Sequence, residues 1–145
     1  MTETEFRIKH SEIIEYYQLI EMRLKSICAA LLADEKKGWY ERLDDFESNP
    51  MRRSINHIDF IQKQKKKGTF SEKALKELDN LCDARNYWAH ECFGGNHPVC
   101  FNHGEVKNPK HAQRIMSDFE AAVEWDEKLA EILHERLIKP LVTEG

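Results

Sequence analysis

The chain has 145 residues, enough for one ordinary hydrophobic core without disulfide staples. A third of it is charged, with six glycines and four prolines, a composition that fits a helical globular chain rather than a β-sandwich, a barrel or a disordered segment. The formal charge of -4 excludes a globally basic nucleic-acid binder and leaves only local cationic patches as contacts for phosphate.

Ile13, Tyr17, Ile20, Leu24, Ile27 and Leu31 alternate steps of four and three, which predicts one apolar stripe on a helix from about Glu5 to Ala33. Lys36, Lys37 and Gly38 follow as its C-terminal signal. Trp39, Leu43 and Phe46 predict a short second helix. Asn49 and Pro50 then supply a cap and a first-turn proline for a third, whose stripe is Met51, Ile55, Ile58 and Ile61. Thr69 and Glu72 have capping-box spacing, with Ser71 competing for the cap, ahead of a fourth helix that buries Ala74, Leu75, Leu78, Leu81 and Cys82. Phe93 to Asn108 reads as a loop, and Asn108 with Pro109 opens a last long helix. That helix carries Ile115, Phe119, Ala122, Leu129 and Leu133, is interrupted on its apolar side by Asp126, and stops near Pro140. The expected fold is all-α, an up-down antiparallel bundle of four main helices and one short one, forming a single domain over 1–145.

The first residues, MTETEFRIKHSE, show no secretory signal, and no stretch approaches the ~20 apolar residues of a membrane span. The expected location is cytoplasmic, with Cys28, Cys82, Cys92 and Cys100 as free thiols. Cys28 and Cys82, on helices, read as small buried hydrophobes.

Residues 83–92, DARNYWAHEC, break the pattern of the fourth helix. Arg85 follows Leu78 and Leu81 along the apolar stripe, and His90 lies about 140° further round and about 7.5 Å along the axis of a continued α-helix. The two side chains flank a groove without touching, and a second copy packed across a two-fold axis brings both pairs into one cleft. A guanidinium grips phosphate bidentately and stabilises charge in a phosphoryl-transfer transition state. An imidazole, titrating near neutrality as a residue type, moves protons. The structural alternative pairs Arg85 with Asp83, Glu77 or a carboxylate of another helix, and leaves His90 at a helix C-terminus.

The run Arg85-Asn86-Tyr87-Trp88-Ala89-His90 resembles the R-x4-6-H motif of HEPN domains, in its late place on a core helix of a small helical chain as well as in its residues. The resemblance implies a dimeric endoribonuclease that cleaves single-stranded or loop RNA by 2′-hydroxyl attack without a cofactor or metal, of the kind found among toxins and antiviral effectors. Arg85 and His90 then stand in the catalytic positions, with Asn86 as the supporting polar residue. The implied partners are RNA, a second copy of the chain and, for a toxin, a neutralising antitoxin. An inactive HEPN-like module that binds RNA, a nucleotide or a protein is the alternative. Relatives paired with nucleotidyltransferase antitoxins carry a Tyr two residues after the His, where this chain has Cys92.

Three lesser signals remain. Arg52, Arg53, Lys63, Lys65, Lys66 and Lys67 form a possible RNA-phosphate face, against the plainer reading of a solvated helix end. Cys92, His97, Cys100 and His103 are zinc-type ligands, but their spacing matches no strong finger pattern. Phe93 and Phe101 offer rings on which bases can stack. His10, His57, His111 and His134 show no partner pattern and are assigned no chemistry.

Overall fold

The computed structural model describes residues 1–34, 36–66 and 68–138; Lys67 and Pro140 therefore lie outside the described residues. Five helices form: α1 Glu3–Leu32, α2 Trp39–Phe46, α3 Met51–Gln64, α4 Glu72–Asn86 and α5 Pro109–Glu131. The expected all-α bundle is what the chain adopts. Counting the short helix, the direction alternates, so α4 runs against α1 and α5, while α1 and α5 lie in the same sense with Tyr16 against Phe119 and Arg23 against Asp126.

α1 is the spine. Its predicted stripe, Ile13, Tyr17, Ile20, Leu24, Ile27 and Leu31, is buried throughout, and Phe6 extends it towards the N-terminus. Met51, Ile55, Ile58 and Ile61 of α3, Leu78 and Leu81 of α4, and Ile115, Ala122 and Leu129 of α5 complete one core. Asp126 interrupts the apolar side of α5 because Arg23 Nε donates to it at 2.6 Å, a part-buried pair that ties α5 to α1.

Several helix ends differ from the expected ones. Gly38 is not a stop for α1 but the extended N-cap of α2, and the bend after α1 is made by Asp34, whose Oδ1 accepts from the Lys36 and Lys37 backbone N–H groups. Pro50 itself occupies the N-cap of α3, because Asn49 is buried and its side chain is spent on His57 Nδ1 at 3.1 Å. Ser71, not Thr69, caps α4, with Oγ accepting from Ala74 N at 3.1 Å. Asn108 and Pro109 open α5 as expected, Asn108 Oδ1 accepting from Lys110 N.

The predicted loop between Phe93 and Asn108 contains a small antiparallel hairpin, β1 Phe101–Asn102 and β2 Glu105–Val106. Its two turn residues, His103 and Gly104, both have positive φ, 51° and 76°, as a type I′ turn requires. Strands of two residues leave no alternation to read. Thr2 pairs with Glu105 on the hairpin's outer edge, and Glu3 N donates to Gly104 O at 2.8 Å, fastening the start of α1 to this end of the bundle. No helix among the described residues is long and apolar enough to cross a membrane.

Candidate active site

α4 does not stop at Asn86. The chain continues as a π-turn, Tyr87–Glu91, in which Cys92 N donates to Tyr87 O at 2.8 Å, an i→i+5 bond. A π-turn takes more residues to close than an α-turn, so His90 is carried further back towards the Arg85 side than a regular helix would place it. Such turns are rare, and many lie at functional sites.

Arg85 occupies the last turn of α4 with 32% of its side chain exposed. Its Nη1 donates to Asn86 Oδ1 at 3.1 Å, and its Nη2 lies 3.9 Å from Glu21 Oε2 on α1. A charge-assisted bond is normally much shorter than that second contact, so the guanidinium is steered by Asn86 and only loosely engaged by Glu21. Asp83 and Glu77, its other expected partners, are not the groups that hold it; Asp83 belongs to Arg52. His90 is exposed on the π-turn, and no hydrogen bond joins it to Arg85 within the chain.

The turn is clamped from two sides. From α1, His10 Nε2 lies 2.7 Å from Trp88 O; a carbonyl only accepts, so Nε2 carries the proton. From α5, Asp118 Oδ2 accepts from Trp88 Nε1 at 2.8 Å, and the Arg114 guanidinium sits 3.6 Å over the centre of the Tyr87 ring while pairing with Asp118 at 3.6 Å. Trp88 is fully buried. The Tyr87 phenol is pushed up by burial and drawn partly back by the Arg114 charge. Tyr17, whose hydroxyl is buried with no hydrogen-bond partner among the described residues, is pushed up by burial and by Asp118.

The sequence singled out Arg85, Asn86 and His90 but passed over His10, Arg114 and Asp118. Arg114 and Asp118 do carry a local signal, an i,i+4 pair of opposite charge at the start of α5. Nothing local reports that the pair faces Tyr87 and Trp88.

Three residues of the basic face have partners within the chain. Arg52 bridges to Asp83 at 2.7 Å and Asp79 at 3.3 Å, Lys63 pairs with Asp59, and Lys65 Nζ donates to Leu31 O at 2.6 Å, closing the end of α1. Arg53 and Lys66 are exposed, Lys66 at a positive φ of 53° just past α3. The zinc-type residues are not gathered. Cys92 is buried, its Sγ 3.4 Å from Trp88 O and 3.6 Å from His10 Nε2, while His97, Cys100 and His103 are exposed on the connection beyond it. The described residues hold no group of three or more His, Cys, Asp or Glu side chains placed to share a metal ion. Burial pushes the Cys92 thiol up, which keeps it protonated. Phe101 is half-buried under Arg7, leaving Phe93 as the exposed ring of the pair expected to stack bases.

No family model, curated protein or solved structure matches the chain.

Proposed function

We propose that the chain is a HEPN-like endoribonuclease that acts as a homodimer on single-stranded or loop RNA, in the manner of a toxin or defence effector restrained by a partner protein. The observation that carries this reading is the junction itself: Asn86 steers a half-buried Arg85 whose donors are largely uncommitted, and the π-turn that follows displays His90 to solvent. Two copies packed across this face supply two guanidinium groups and two imidazoles to one scissile phosphate. The ribose 2′-oxygen attacks phosphorus and forms the new O–P bond as the bond to the 5′-oxygen breaks. One His90 of the dimer accepts the 2′-hydroxyl proton and the other donates a proton to the departing 5′-oxygen. Arg85 holds the non-bridging oxygens and stabilises the charge that builds on them.

The experiment is cleavage of single-stranded RNA in excess chelator. His90→Ala is expected to slow it roughly 10²- to 10⁴-fold, and Arg85→Ala by about 10²- to 10³-fold. Products ending in a 2′,3′-cyclic phosphate identify the attack, and unchanged cleavage by both variants would remove the proposal. The second reading, an RNA-binding module without cleavage, is favoured by the Glu21 contact to Arg85. It predicts intact RNA, with binding that weakens with salt and with loss of Arg85.

A further inference from the structure

Phe93 lies three residues beyond His90 and exposes 46% of its surface. Its ring is held from behind. Phe6 meets it edge-on at 6.3 Å and 71°, and His10 tilts against it at 5.5 Å and 58°. Neither neighbour is parallel to the ring, so no aromatic partner stacks on its faces among the described residues. The Arg7 guanidinium stands over the ring, 5.8 Å from its centre, and is positioned by Glu3, whose carboxylate it meets at 2.9 Å, so one face is approached by this cation and the other is left to a base. Phe101 is the less accessible ring, half-buried with Phe6 edge-on at 5.7 Å and Arg7 closer over it at 4.9 Å. An exposed ring with fixed backing and a guanidinium beside it has the chemistry that accepts an unpaired nucleobase.

We infer that Phe93 is a stacking platform for one unpaired base of the RNA, an inference that rests on the RNA reading of Arg85 and His90. Phe93 lies three residues beyond His90, so a base held there is adjacent to the scissile linkage. Stacking engages the face of a base and not its hydrogen-bonding edge, so the platform accepts all four bases and rejects paired ones. It fixes where an unpaired strand lies without dictating its sequence.

The test measures binding of a short fluorescent single-stranded oligouridine, and of a fully paired duplex, to the whole chain carrying His90→Ala, which leaves the probe uncut. Adding Phe93→Leu is expected to weaken single-strand affinity roughly five- to a hundredfold, and Phe93→Trp to restore it. The ratio between Phe93 and Leu should stay the same at about 50 and 200 mM salt although both affinities fall, because stacking releases no counterions. Unchanged affinity in Phe93→Leu overturns the inference. So does a ratio that collapses with salt, an equal loss on the duplex, or a loss traced by light scattering to dissociation of the dimer. A His90→Ala chain that binds no RNA overturns it together with the RNA reading of the site. Phe93-dependent binding by a protein whose wild type cleaves nothing leaves the platform standing and removes only the ribonuclease.

Discussion

Trp88 is fully buried, yet its indole carries a proton donor that must be satisfied, and the group that satisfies it is a carboxylate on another helix, Asp118. Replacing that carboxylate leaves a buried N–H without an acceptor. Asp118→Ala is expected to cost about 1.5–3 kcal/mol in urea unfolding, whereas Asp118→Asn, which retains an acceptor, should cost less. The same residue anchors Arg114 over Tyr87, so under the proposed ribonuclease reading its loss should also slow RNA cleavage by loosening the turn that presents His90. Cys92 illustrates the opposite outcome for a reactive residue type. Its thiol is buried and pushed up from its ordinary range, so in the native protein iodoacetamide should modify the exposed Cys100 first and leave Cys28, Cys82 and Cys92 until unfolding. Mass spectrometry of the labelled chain reads that order directly.

At the scale of the element, the hairpin turn depends on Gly104. A Cβ added there meets nothing within 4 Å among the described residues, so the penalty of Gly104→Ala is conformational, arising from its φ of +76°. It is expected to lower stability by about 1–2 kcal/mol, and to raise amide exchange at Glu3, whose N–H bonds to Gly104 O. Ser71→Ala should cost about 1 kcal/mol by uncapping α4. The helices themselves were legible because residues such as Ile13, Tyr17, Ile20 and Leu24 recur at helical spacing over many turns. The caps were legible only as pairs of candidates: Ser71 prevailed over Thr69 because it places Ala74 at hydrogen-bonding distance, and Asn49 was withdrawn from capping by His57, a tertiary partner. The π-turn was invisible, since five residues cannot display a change of period. Arg85 and His90 were legible as residue types out of place, while the partners that shape their surroundings, His10, Asp118 and Arg114, come from distant parts of the chain.

For the whole molecule, two core thiols set an alkaline limit. Burial raises Cys28 and Cys82 to about 12 each, and the protonated Cys28 donates to Ser54 O at 3.3 Å. In the unfolded chain such thiols ionise near pH 9, so from there towards pH 12 the folded protein retains protons that the unfolded one has lost. Stability must then fall as pH rises, by about 1.4 kcal/mol per pH unit for each thiol. Cys82→Ala should reduce that slope by about 1.4 kcal/mol per pH unit in denaturation series at successive pH values, whatever it costs at neutrality. The placement of α1 carries a further consequence, one of timing. Its apolar stripe is shared among α2, α3 and α5, so the spine of the core cannot be completed until α5 has been synthesised. Some 99 residues separate the end of α1 from the end of α5, on the order of 5 to 20 s of synthesis on a ribosome. Throughout that interval the face of α1 between Tyr16 and Arg23, which meets Phe119 and Asp126 of α5, stands open to any chaperone or neighbouring nascent chain, so a vulnerable period falls before α5 has been made.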